Sequence, residues 1–119
     1  MIDSILTSIK KLLGLTEDYT NFDDDIIMHI NTVFLSLKQL GIGPSEGFRI
    51  EDDVTTWSEF IDTENNPEKT ALLSAVKSYI HLKVKLLFDP PLSSAVEKAI
   101  NEQIDELEWR LNIEAESGQ

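Results

Sequence analysis

Asp23, Asp24 and Asp25 stand side by side, and three adjacent carboxylates could do either of two things. They could hold a hard cation, or they could line the positive end of a helix. A calcium loop alternates its ligands around a central glycine, as in D-x-D-x-D-G, and this run lacks both features. An apolar period starts immediately after it at Ile26, so the expected role is to cap free N–H groups and favour the helix dipole. Glu51 to Asp53 form a second acidic cluster, but a chain with 22 Asp and Glu produces such clusters by chance, and most face solvent. His29 has no second ligand one turn away, and His81 falls between Ile80 and Leu82, where packing outweighs catalysis. The absence of cysteine removes disulfides, thiolate metal sites and cysteine nucleophiles. None of the 5 glycines sits in a G-x-G-x-x-G or G-K-[ST] context, and neither G-x-S-x-G nor H-E-x-x-H occurs. The expectation is a chain with no catalytic residue, no metal site and no cofactor, and therefore no enzyme.

The totals agree with a binding or structural role. The 119 residues, 41% of them hydrophobic, suit one compact domain. Such a domain buries roughly two-thirds of the unfolded chain's surface. The net charge of −12 repels phosphate backbones and favours solubility, a basic partner or DNA mimicry. Asp3, Lys10 and Lys11 interrupt the pattern of a signal peptide, and no stretch approaches the roughly 20 apolar residues of a membrane span. The expected protein is soluble.

Four long or amphipathic segments and one short one would position these residues. Ile2, Ile5, Leu6, Ile9, Leu12 and Leu13 recur at helical spacing over 1–14, with Gly14 as a stop. This helix has a thin polar face and must dock on its own bundle or on a neighbouring subunit. A second helix is expected over about 24–40, with a stripe from Ile26 to Leu40 and Gly41 as its end. The middle of the chain has no single period. "FRI" could be extended, and Thr56 with Glu59 fits a capping box for a short helix carrying Trp57, Phe60 and Ile61 against the bundle. A projecting loop is expected in this region.

A third long helix is expected over about 68–88, apolar on so much of its circumference that it should be central. Leu72, Leu73, Val76, Tyr79, Ile80, Val84 and Leu87 form its main stripe. Lys77, Lys83 and Lys85 are either solvated cations on aliphatic stems or a patch for an acidic partner. The fourth, over about 92–112, places Val96, Ile100, Ile104, Leu107 and Leu111 in register, with Ser94 and Glu97 as a capping box. Residues 112–119 read as a flexible polar tail. The fold class is all-α: a small bundle of about four helices with a projecting mid-chain loop and a short extra helix.

Between the two longest helices lies Phe88-Asp89-Pro90-Pro91. Pro90 pushes Asp89 out of helical dihedrals, and Pro91 does the same to Pro90. Pro91 can then stand near a helix start, where a missing N–H costs little. The outcome is a stiff, short corner.

Taken together, "DDDIIMHINTVFLSLKQLGIG", "YIHLKVKLLFDPP" and "IDELEWRL" resemble the head–tail connector (head-completion adaptor) family of long-tailed phages and prophages, over about 2–112. The resemblance implies a non-enzymatic virion protein made and assembled in the bacterial host cytoplasm. It implies a ring of about twelve copies joined head to tail. The ring would dock under the portal protein, extend the DNA channel and present a platform for the next head-completion or tail-joining protein. DNA would pass without specific binding, and no membrane is involved. Phe88, Asp89, Pro90 and Pro91 match the family motif, with an architectural role expected for the corner. Trp57, Trp109 and Arg110 are the candidate interface residues, since Trp and Arg are enriched at hot spots. Against this, Trp109 could pack at the bundle edge and Arg110 could pair with Glu106 one turn earlier. The alternative function is a small acidic inhibitor or DNA mimic that occupies a basic partner. A helical DNA-binding regulator is disfavoured by the charge and by the lack of a basic recognition helix.

Overall fold

The computed structural model describes residues 4–117. It contains five helices: α1 (Ile5–Leu12), α2 (Asp23–Gln39), α3 (Trp57–Phe60), α4 (Pro67–Phe88) and α5 (Ser94–Ser117). No strand occurs among the described residues. The nearest approach to one is an isolated antiparallel bridge between Ser4 and Thr56. The all-α expectation holds, with α3 as the short extra helix.

Local chemistry sets the helix ends. Ser4 caps α1 by accepting the Thr7 N–H at 3.1 Å. Gly41 closes α2 in a Schellman motif: the Gly41 N–H donates to Lys38 O at 3.0 Å and the Ile42 N–H to Leu37 O at 2.9 Å. Gly41 has φ +88, a left-handed conformation that glycine adopts without penalty. Asn66 caps α4 by accepting the Lys69 N–H, and Pro67 follows at the first helical position.

Two expected caps differ. The cap of α5 is Ser93 rather than Ser94, since the Val96 N–H reaches Ser93 Oγ at 3.4 Å. The acidic run ahead of α2 lies inside its first turn, and Phe22 occupies the cap with no side-chain hydrogen bond. Asp24 and Asp25 can still favour the dipole. Asp23 instead meets Lys10 Nζ at 2.9 Å, and Lys10 also donates to Glu17 O at 3.0 Å. Lys10 is buried, so this pair pins α1 and its connector to the start of α2. Removing one partner would strand the other charge, which makes such pairs costly to break.

α4 is central, as its broad apolar surface requires. α2 and α5 pack along it, and α1 touches both α2 and α4. Val76, Tyr79, Ile80 and Val84 of α4 are buried together with Ile30 and Leu37 of α2 and Leu111 of α5. The inward face of α1, with Ile5, Leu6 and Ile9, is fully used within the chain's own bundle. The mid-chain segment is tied down by aromatic and amide contacts. Phe34, Phe48 and Phe60 form a triangle with centroids 4.8–5.1 Å apart. Asn31 clamps Ile50 from both sides, accepting its N–H at 2.8 Å and donating to its carbonyl at 2.9 Å. Glu51 to Val54 remain exposed.

α5 runs to Ser117, where an end near 112 was expected. Leu111 is buried and Ala115 packs against the core, so contact with the bundle carries the helix beyond its polar sequence. Residues 1–3 and 118–119 of the expected first helix and tail lie outside the described residues.

Candidate interaction surfaces

The corner after α4 is built as a turn with an apolar rim. Asp89 leaves the helix at φ −145 and ψ 68, while its N–H still donates to Lys85 O at 2.8 Å. Phe88 turns inward against Phe22, with ring centroids 5.3 Å apart, and Phe22 in turn meets Tyr19 at 5.8 Å. The corner is therefore packed on the α1–α2 connector. Around it, Leu87 and Val96 are about half exposed and Leu92 is fully exposed. This corrects the place given to Leu87 and Val96 in the apolar stripes.

Trp57 is 4% exposed, so it packs against the bundle as its place on the short helix predicts, and is not free for the surface contact also expected of it. Its indole N–H donates to Ser8 Oγ at 3.0 Å, and Lys77 Nζ lies 5.3 Å from its ring centroid. It joins α3 to α1 and α4. Tyr79 is buried between helices, and its hydroxyl donates to Glu108 Oε2 at 2.7 Å. Lys83 Nζ sits 3.3 Å from that hydroxyl and 3.8 Å from the Glu108 carboxylate. Burial first, and the Glu108 carboxylate second, push the phenol well above its ordinary pKa. His81 is half-buried, and burial followed by the Lys85 charge holds its pKa below the ordinary imidazole value. These groups sit between or beside helices, and their partners are structural.

Two of the surface grooves among the described residues are walled by exposed large apolar side chains. The first is a groove of about 600 Å³ between α2 and 46–49, lined by Met28, Asn31, Leu35, Lys38, Phe48 and Arg49 among others. Met28 and Leu35 are 57% and 63% exposed. Lys38 and Arg49 are exposed and make no ion pair among the described residues. The second is a groove of about 620 Å³ between α4 and α5, where Trp109 and Ile113 stand over Leu72 and Ala75, beside Glu68 and Glu114. Trp109 is 65% exposed. Arg110 pairs with Glu106 at 2.8 Å, one helical turn earlier. Trp109 and Arg110 thus lie together on an open face, far from the role that Trp57 plays inside.

Sequence reasoning missed Met28, Leu35 and Leu92. Met28 and Leu35 are seven residues apart, two turns on the face opposite the α2 core stripe, and that spacing was legible. Leu92 had no such signal, because a single leucine after a turn gives no period. No cluster of three or more metal-ligating side chains occurs among the described residues, and no described helix is long and apolar enough to cross a membrane.

A protein-family model described as phage connector protein matches residues 5–118. No curated protein and no solved structure gives a significant match.

Proposed function

Because the chain belongs to the phage connector protein family, and so is a structural connector of a phage particle, we propose that it acts as a ring-forming head-completion adaptor. In this reading about twelve copies join head to tail and close a ring that matches the symmetry of the portal above it. The ring docks under the portal, extends the DNA channel and offers its lower face to the next tail-joining protein. The chain does no chemistry. It resides in the virion after assembly in the host cytoplasm.

The observation that carries this reading is family membership extending across all five helices. Two further features support it. A heterologous ring needs two different complementary surfaces on each subunit, and the α2 groove and the Trp109 face share no lining residue. A net charge of −12 favours passage of DNA over retention.

The test is the mass of the purified chain by light scattering over a range of concentrations, alone and with its cognate portal protein. Ring-sized assemblies in either setting are the expected result. A chain that stays monomeric alone and fails to bind the portal would overturn the reading. Displacement of duplex DNA from a basic partner by such a monomer would establish the acidic-mimic alternative in its place.

A further inference from the structure

We infer that the Trp109 face of α5 in one copy seats in the α2 groove of the next copy, forming the subunit–subunit contact of the ring. The inference rests on the ring reading above and names the surfaces that reading leaves open.

Two observations favour a second copy as the occupant, and the resulting symmetry agrees with a ring. Both faces are grooved, and the part of the Trp109 face that can enter the α2 groove is its α5 wall. That wall carries an exposed indole with Ile113 beside it, and the α2 groove is walled by Met28, Leu35 and Phe48. A protruding aromatic in a desolvated pocket is the usual anchor of a protein interface. The charges also favour this pairing over self-pairing. Glu102, Asp105 and Glu116 lie at helical spacing on the Trp109 side of α5, all exposed. Asp105 and Glu116 have no cationic partner among the described residues. The α2 groove holds Lys38 and Arg49 against Asp24 and Glu46, so it is about neutral on a protein of net charge −12. Two α5 faces would repel each other, whereas an α5 face meets a groove of no net charge in which Lys38 and Arg49 are not committed to an ion pair among the described residues. Finally, the contact is heterologous, so it propagates from copy to copy instead of ending at a dimer.

The positions involved are exposed, so they can be changed without touching the core. Trp109→Ala and Leu35→Ala should each weaken assembly about tenfold or more, while the thermal midpoint of the monomer stays unchanged. Assembly is read as the protein concentration at which light scattering reports half the ring, with the portal present if the chain needs it. If the two side chains meet, the double variant should be little weaker than either single one, because the second change removes a contact already lost. A chain carrying Thr32→Cys and Asn112→Cys, otherwise free of cysteine, should give a ladder of covalent multimers with a short bismaleimide.

Full assembly by both single variants, or fully additive losses in the double variant, would overturn the pairing. So would cross-links that join the chain to the portal and not to a second copy. In each of these cases the unsubstituted chain still assembles, and the ring reading survives. Absence of any assembly by the unsubstituted chain, alone or on the portal, would sink both.

Discussion

Tyr79 and Gly43 show how single residues hold this bundle to one packing. The Tyr79 hydroxyl bridges α4 to Glu108 of α5 in a buried setting, and the fold holds its proton more tightly than the unfolded chain does. The sign follows from that. A folded-state pKa raised above the unfolded value near 10 contributes stability that is complete below about pH 10 and is lost as pH rises further. Denaturation of the native protein should therefore become easier through the alkaline range. Tyr79→Phe keeps the ring and removes the proton, so it should cost about 1–2 kcal/mol at neutral pH and flatten the alkaline loss. Urea midpoints of both proteins at pH 8 and pH 11 measure the difference. Gly43 has φ +92, and a Cβ there would lie 2.5 Å from the Phe60 ring. Gly43→Ala should cost about 1–3 kcal/mol, by strain at positive φ and by displacement of the aromatic triangle. An unchanged unfolding midpoint would contradict that placement. Neither role was legible. A tyrosine in an apolar stripe reads the same whether or not its hydroxyl finds a carboxylate. Gly43 reads as a loop glycine because its collision partner is 17 positions away.

The elements were legible where periodicity ran long, and obscure where tertiary contact decided. The order and approximate limits of α2 and α4 follow from their stripes and from Gly41. The end of α5 did not follow, because Leu111 and Ala115 extend it through packing that a polar sequence conceals. Periodicity also placed Leu87 and Val96 in the apolar stripes, and both are about half exposed. Trp57 was read two ways, as packing on the bundle from its place on the short helix and as a contact residue from its type, and burial selects the first. Its burial comes from α1 and α4 closing over α3, a fact that only the assembled fold contains. The mid-chain segment, aperiodic in sequence, is fixed by the Asn31–Ile50 clamp. Asn31→Ala leaves the backbone of a buried residue unpaired and should cost about 1–3 kcal/mol. It should also speed proteolytic cleavage between α2 and α3, with α2, α4 and α5 still protected. Equal cleavage rates for variant and native chain would show that the clamp does not hold the segment.

At the scale of the molecule, the bundle satisfies its own core and leaves apolar surface on α2, on α5 and at the Phe88–Pro91 corner. A monomer gains nothing from exposing Met28, Leu35, Leu92 and Trp109, whereas a subunit built to touch neighbours does. The sequence alone made Trp109 and Arg110 candidates, but the open grooves that surround them depend on how α2, α4 and α5 are arranged. A net charge of −12 disfavours binding of duplex DNA, which suits the proposed channel role. Raising ionic strength should therefore have little effect on retention of duplex DNA, because there is little retention to lose. The most direct test of the central claim is native mass spectrometry of the purified chain mixed with its cognate portal. A complex carrying about twelve copies per portal ring is the result this account requires. A portal that emerges with no copies bound would contradict it.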